Sequence, residues 1–176
     1  MSKAPKILVV GSSGKVARFI IDEVIAVFGI EALTISDYKP ERLEQLSERL
    51  GKEYGSSPHA IVIDINSPES VRSGIVDIEY VIVPVAQKEP LIQKVCIQKG
   101  TTCIDLSVSE KFIDESINLH TEAVQGGSLL LMAAGLFPGL SGIMAREVHS
   151  KTPNAILDVG LIQAKDAVAG STGIAD

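Results

Sequence analysis

A chain of 176 residues has room for one ordinary α/β domain and a short remainder. Its hydrophobic share of 45% suffices for a sizeable core, and an aromatic share of 4% means that aliphatic side chains must build it. The formal net charge of -6 excludes a broad nucleic-acid or anionic-membrane surface, which would need clustered Lys and Arg, so any bound phosphate must be held locally.

The two cysteines, Cys96 and Cys103, lack Cys-x-x-Cys spacing. Neither a disulfide framework nor a thiolate zinc site is therefore expected, and reduced thiols in a cytoplasmic protein are the plain reading. No apolar run reaches the roughly 18 to 20 residues of a membrane span. His59, His120 and His149 lie far apart without metal-like spacing.

Ile7-Leu8-Val9-Val10 is continuously apolar between Pro5 and Gly11, as suits a strand buried on both faces of a parallel sheet. From Lys15 to Phe28, Val16, Phe19, Ile20, Val24, Val27 and Phe28 recur at helical spacing, and Gly29 closes the helix. Leu33-Thr34-Ile35 predicts a second strand ending at Ser36-Asp37. The helix opened by Pro40 follows, with a stripe of Leu43, Leu46 and Leu50 broken by Gly51 and Gly55.

Ala60 to Asp64 predicts strand three, Ser67-Pro68-Glu69-Ser70 a short helix, and Tyr80 to Val83 strand four, stopped by Pro84. Leu91, Ile92, Val95, Cys96 and Ile97 mark a helix ended by Gly100, and Thr102 to Leu106 predicts strand five. Ile113, Ile117, His120 and Val124 predict one amphipathic helix closed by Gly126-Gly127, with His120 on its apolar face. Leu129 to Met132 is strand six. A helix from about Ser141 to Ser150 and a further strand from Ile156 to Ile162 complete the series, and Gly170-Ser171-Thr172-Gly173 reads as loop.

Six strands alternating with helices through short connections predict an α/β fold, a doubly wound parallel sheet of the Rossmann type with strand order 3-2-1-4-5-6. Residues 1–150 would form this domain, and 151–176 the first strand and loop of a truncated second one. Ligands of such sheets sit at the carboxyl ends of strands one and four.

The turn Gly11-Ser12-Ser13-Gly14 follows a buried strand and opens a helix, and Gly11-x-x-Gly14-x-x-Ala17 has the spacing of a dinucleotide-binding turn. Gly11 takes the tight turn, Gly14 lets backbone approach a pyrophosphate, and Ala17 permits close packing of helix on strand. The N–H groups of the first helical turn, including those of Lys15 and Val16, would hold the phosphates, with Ser12 and Ser13 offering hydroxyls. A Walker loop is excluded because Gly-Lys-Ser/Thr is missing. A purely structural turn is the alternative.

Asp37, at the end of strand two, stands where a carboxylate accepts from the adenosine ribose hydroxyls and repels a 2′-phosphate, which favours NAD over NADP. Lys39 and Arg42 follow closely and oppose that preference, and Asp37 can instead cap the helix at Pro40. Asp64 and Ile65, ending strand three, would border the adenine. Pro84 and Val85, ending strand four, would line the path to the nicotinamide ribose. Asp105-Leu106-Ser107 and Ser109-Glu110 share the ligand edge, where capping explains Ser107 or Ser109 equally well, and no general acid or base is assigned. None of Tyr38, Tyr54 and Tyr80 is followed four residues later by Lys, so short-chain reductase machinery is absent.

Four stretches together resemble the amino-terminal NAD(P)-binding domain of the saccharopine dehydrogenase family. They are Lys6-Ile7-Leu8-Val9-Val10-Gly11-Ser12-Ser13-Gly14, Ser36-Asp37-Tyr38-Lys39-Pro40-Glu41-Arg42-Leu43, Lys99-Gly100-Thr101-Thr102-Cys103-Ile104-Asp105-Leu106-Ser107 and Gly135-Leu136-Phe137-Pro138-Gly139-Leu140-Ser141. The last two are the more specific, and the resemblance covers most of residues 5–150. It implies an oxidoreductase that moves hydride between a nicotinamide and the carbon–nitrogen bond of a secondary-amine amino acid. It also implies a second α/β domain that binds this substrate after strand six. On that reading the chain is a fragment that binds cofactor without turning over, and exposed apolar surface would pair it as a homodimer. The family has a more compact glycine run at the first turn, from which Ser13 departs. The alternative is a stand-alone nucleotide-sensing or regulatory module.

Overall fold

The structure, a computed structural model, describes residues 4–160. Its strands are β1 (Ile7–Val9), β2 (Leu33–Asp37), β3 (His59–Val62), β4 (Tyr80–Val83), β5 (Thr102–Asp105) and β6 (Leu130–Leu131). The helices are α1 (Lys15–Phe28), α2 (Pro40–Tyr54), α3 (Pro68–Gly74), α4 (Leu91–Lys99), α5 (Glu110–Ile117), α6 (His120–Gln125) and α7 (Leu140–Lys151). All six strands pair in parallel in the order 3-2-1-4-5-6, the doubly wound α/β arrangement. β1 lies centrally, with Leu8 opposite Thr34 of β2 on one side and Val81 of β4 on the other.

The period-2 alternation of a strand divides β1 between two cores. Ile7 and Val9 pack with Ile21, Val24 and Ile25 of α1 and Leu43, Leu46 and Leu50 of α2. Leu8 and Val10 pack on the other face with Val71 of α3 and Ile92, Val95 and Cys96 of α4. Every side chain of β1 is buried, which is why its sequence shows no polar alternation. Cys96 and Cys103 are free and buried in this second core, and their mutual hydrogen bond together with burial pushes the Cys103 thiol well up. A thiol so placed is a core residue rather than a nucleophile.

Several element boundaries differ from the sequence expectation, each for an identifiable reason. In α1 the buried residues are Ala17, Ile21, Val24 and Ile25, while Phe19 is 58% and Val27 67% exposed. The buried face starts from a small residue, Ala17, at the end of the helix that leaves the turn against the sheet, where a phenylalanine would hold the helix off. Gly51 stays inside α2, which ends at Gly55 in the left-handed region. The single helix expected across 113–124 is two, α5 and α6, interrupted at Asn118 and Leu119. His120 accordingly opens α6 and is exposed, as are Ile117 and Val124, while Phe112, Ser116 and Ala123 face inward.

Residues 156–160 form no strand. Among the described residues no strand pairs with them, and an isolated strand leaves its backbone groups to water. Leu161, Ile162 and the 170–173 loop lie outside the described residues. No buried residue occurs on α7, whose Ile143 and Met144 are 68% and 61% exposed. No helix among the described residues is long and apolar enough to cross a membrane.

The displaced face of α1 is open to test by denaturant unfolding. Ile21→Ala is expected to lose about 2–5 kcal/mol through the cavity it leaves. Phe19→Ala is expected to stay within about 0.5 kcal/mol of wild type. Equal losses would return Phe19 to the core.

Candidate functional site

The carboxyl ends of β1 and β4 meet where the strand order reverses, and the turn after β1 shapes the gap. Gly11 has φ +65°, and a Cβ added there would collide with Cγ1 of Val85, in the loop after β4. Only glycine satisfies both conditions. Gly14 then caps α1, where a Cβ would stand 3.1 Å from the Gly11 carbonyl oxygen.

Ser12 is used differently from the expectation. It is buried; its hydroxyl donates to the Val9 carbonyl at 2.7 Å and accepts from the Ser36 N–H at 3.0 Å. Its own N–H donates to the Ser36 carbonyl at 2.7 Å, and the Ser36 hydroxyl donates to Val9 at 3.2 Å. Ser12 thus clamps the turn to β2 and has no hydroxyl left to offer a ligand, whereas Ser13 is exposed. No side chain caps the start of α1, no acidic residue sits in its first turn, and its first residue is Lys15. The leading N–H groups of this 14-residue helix, those of Lys15 and Val16 among them, carry partial positive charge suited to an anion. By contrast α3 is capped by the Ser67 hydroxyl and carries Glu69 in its first turn.

Asp37 does end β2. Its side chain is 5% exposed and accepts from the Lys39 N–H at 3.1 Å, so one carboxylate oxygen already serves the loop into α2. Tyr38 is exposed, with the Lys39 ammonium 5.3 Å from its ring centroid. Among the described residues the ion pairs are Lys111–Glu115 and Lys151–Glu147, so Lys39 and Arg42 are not paired. β3 stops at Val62, which leaves Asp64 and Ile65 in the loop beyond the strand. There Asp64 accepts from the Asn66 N–H at 2.9 Å, an Asx turn, and its own N–H donates to the Ser70 hydroxyl at 3.0 Å. Pro84 and Val85 follow β4 directly, as expected. Groups of three or more metal-ligating side chains are absent among the described residues.

A second polar cluster occupies the same edge of the sheet. Asp105, the last residue of β5, is fully buried and accepts from Gln87 Nε2 at 2.9 Å, Gln93 Nε2 at 2.8 Å and the Ser107 N–H at 2.6 Å. Its backbone carbonyl accepts from Ala134 N–H at 2.9 Å, beyond β6. Burial pushes the Asp105 carboxyl above its ordinary range, and the bonds from Ser107, Gln93 and Gln87 pull it partly back. Ser107 therefore supports Asp105 through its backbone, and Ser109, at the start of α5, makes no side-chain cap bond. Neither glutamine was singled out by sequence; the available signal was Gln93, a polar residue within the apolar run of α4. Across the edge Leu136, Phe137, Met144, Val148, Leu157 and Val159 line a mainly apolar groove of about 350 Å³, which includes none of the expected site residues.

A buried β1, a glycine turn opening an uncapped helix and a strand order that reverses beside it define a dinucleotide-binding type of α/β domain. The model of the saccharopine dehydrogenase NADP binding domain matches residues 7–131, and the chain belongs to this family. That description names NADP and gives no support to a preference for NAD.

Among solved structures, the apo histidine-tagged saccharopine dehydrogenase (L-Glu forming) of Saccharomyces cerevisiae aligns at 24% identity and a TM-score of 0.68, over 86% of this chain and 32% of that one. The triphenylmethane reductase of Citrobacter sp., complexed with NADP(H), aligns at 12% identity and a TM-score of 0.55, over 72% and 48%. The NADPH-dependent quinone oxidoreductase of Escherichia coli aligns at 12% and 0.53, over 72% and 46%. At these identities the three show the fold. The chain spans about a third of the yeast protein's length. No curated protein matches.

Two outcomes are expected of variants here. Gly11→Ala should cost about 1–3 kcal/mol, because it combines a left-handed φ with the collision at Val85, and a Val85→Ala background should recover part of that loss in a double-mutant cycle. Strict additivity would show that the two positions do not touch.

The second concerns pH. Because the Asp105 carboxyl is raised in the folded protein, folding is favoured at low pH and that advantage is lost as pH rises through the folded value. Asp105→Asn cannot titrate, so its melting temperature relative to wild type should rise between about pH 4 and pH 7. A constant or falling difference contradicts the raised carboxyl.

Proposed function

We propose that the chain is the cofactor-binding domain of an NADP-dependent oxidoreductase of the saccharopine dehydrogenase family, acting by hydride transfer on the carbon–nitrogen bond of a secondary-amine amino acid. The observation that carries the binding half is the turn at Gly11, which opens an uncapped helix at the sheet's reversal point. The chemistry rests on the family match across residues 7–131. Two free, buried thiols support a cytoplasmic setting.

The bound nicotinamide would supply the hydride acceptor or donor; the chain's residues orient it. The pyrophosphate is assigned to the N–H groups at Lys15 and Val16, with the Ser13 hydroxyl beside them, while the Gly14 N–H closes the turn by donating to the Gly11 carbonyl at 2.9 Å. Val85 and Pro84 would wall the nicotinamide side, and Asp64 and Ile65 the adenine side. Lys39 and Arg42 are assigned to the 2′-phosphate. Two cations without an ion pair among the described residues flank a carboxylate whose Oδ1 is bonded to its own loop, and this supports NADP over the NAD that Asp37 alone suggests.

Calorimetric titration with NADPH, NADH and their oxidised forms tests the reading. NADPH should bind more tightly than NADH, and Lys39→Ala with Arg42→Ala should weaken NADPH about tenfold or more while sparing NADH. Tighter NADH binding would restore the ribose role of Asp37, and no binding of any form to folded protein would overturn the assignment.

A further inference from the structure

The carboxylate of Asp105 is wholly buried, and neither ion pair among the described residues involves it. Gln87 and Gln93 both direct their amide nitrogens at its Oδ2, and both amide oxygens are buried with no donor among the described residues. An arrangement selected for stability alone would be apolar or would satisfy every member, because a half-satisfied buried network is worse than a hydrophobic one. Such local costs concentrate where geometry has to be held for another purpose.

The cluster is positioned to hold one particular loop. Gln87 lies two residues beyond Val85, the side chain that fills the space over Gly11, in the segment joining β4 to α4. Through Gln87 the Asp105 carboxylate reaches that segment; through Ser107 it reaches the segment after β5. Gln93, on α4, braces the carboxylate from the helix that the first segment enters.

We propose that Asp105, acting through Gln87, is a positioning residue that holds the β4–α4 loop as the wall of the nicotinamide half of the cofactor site. The proposal rests on the dinucleotide reading above. Its ligand specificity follows from topology: the adenosine half lies over β2 and β3, which the cluster does not touch, so only the nicotinamide half depends on it.

The experiment compares two ligands, NADPH and 2′-phospho-ADP-ribose, which lacks the nicotinamide, by titration calorimetry on the folded chain. Gln87→Ala removes a half-buried side chain and leaves Asp105 with its bonds from Gln93 and Ser107, so it should fold. It is expected to weaken NADPH about tenfold and 2′-phospho-ADP-ribose less than about twofold, since a loop no longer preorganised adds its ordering cost to nicotinamide binding alone. Asp105→Ala should behave in the same way.

Asp105→Asn should rescue. An asparagine whose oxygen accepts from Ser107 presents two N–H groups to the two glutamine oxygens, once both amides turn over. Its NADPH affinity is expected within about threefold of wild type. Equal weakening of both ligands in Gln87→Ala, or none, overturns the proposal, as does an asparagine variant as weak as the alanine one. A wild type that binds 2′-phospho-ADP-ribose as tightly as NADPH also overturns it while leaving the phosphate site standing. A wild type that binds neither overturns the dinucleotide reading itself.

Discussion

At the reversal point of the sheet, the backbone after β1 and the side chain after β4 compete for the volume of a single Cβ. Gly11 yields that volume and Val85 takes it. The consequence spreads outward from there. Val85 seats the β4–α4 loop against the turn, and α1 begins beside it with no side-chain cap on its leading N–H groups. The Ser12–Ser36–Val9 hydrogen bonds fix the same turn from the β2 side, so its backbone is held from both neighbouring strands. A site built this way is preorganised by rigid elements rather than by loop conformation alone.

Charge at this edge is handled by two different devices. Lys39, Arg42 and Lys15 sit near the surface, where a charged side chain keeps most of its hydration. Asp105 is the opposite case, a carboxylate withdrawn from water and stabilised by neutral amide donors and one backbone N–H. Neutral donors compensate burial without adding a positive charge at this edge of the sheet.

The cores on the two faces depend on the same limited vocabulary of Val, Ile and Leu, and this is where the residues were both most and least informative. The six strands of the sheet and the extents of α1 and β4 could be read from apolar runs punctuated by glycine and proline, because parallel strands buried on both faces leave continuous hydrophobic stretches, whereas the further strand read at 156–162 does not form over 156–160. The inward face of α1 could not. Phe19 and Val27 fit a helical stripe as well as Ile21 and Ile25 do, and only the closeness of the helix to the sheet selects the stripe containing Ala17. Likewise Ile113, Ile117 and Val124 keep helical spacing across a break at Asn118 and Leu119 that propensity does not enforce.

For the candidate site the division is similar. The residue sequence by itself determined the turn at Gly11, the acidic end of β2, the alternation that makes a doubly wound sheet and the motifs that tie the chain to its family, because each depends on local spacing and on backbone conformations open only to particular residues. Tertiary structure alone decided that the Ser12 hydroxyl is used internally, that Asp64 lies past the end of its strand, and that Gln87 and Gln93 converge on Asp105. The bonds of Ser36 to Ser12 and of the two glutamines to Asp105 join partners 12 to 24 positions apart, and hydrogen bonds between such distant partners leave no periodic trace in the chain that makes them.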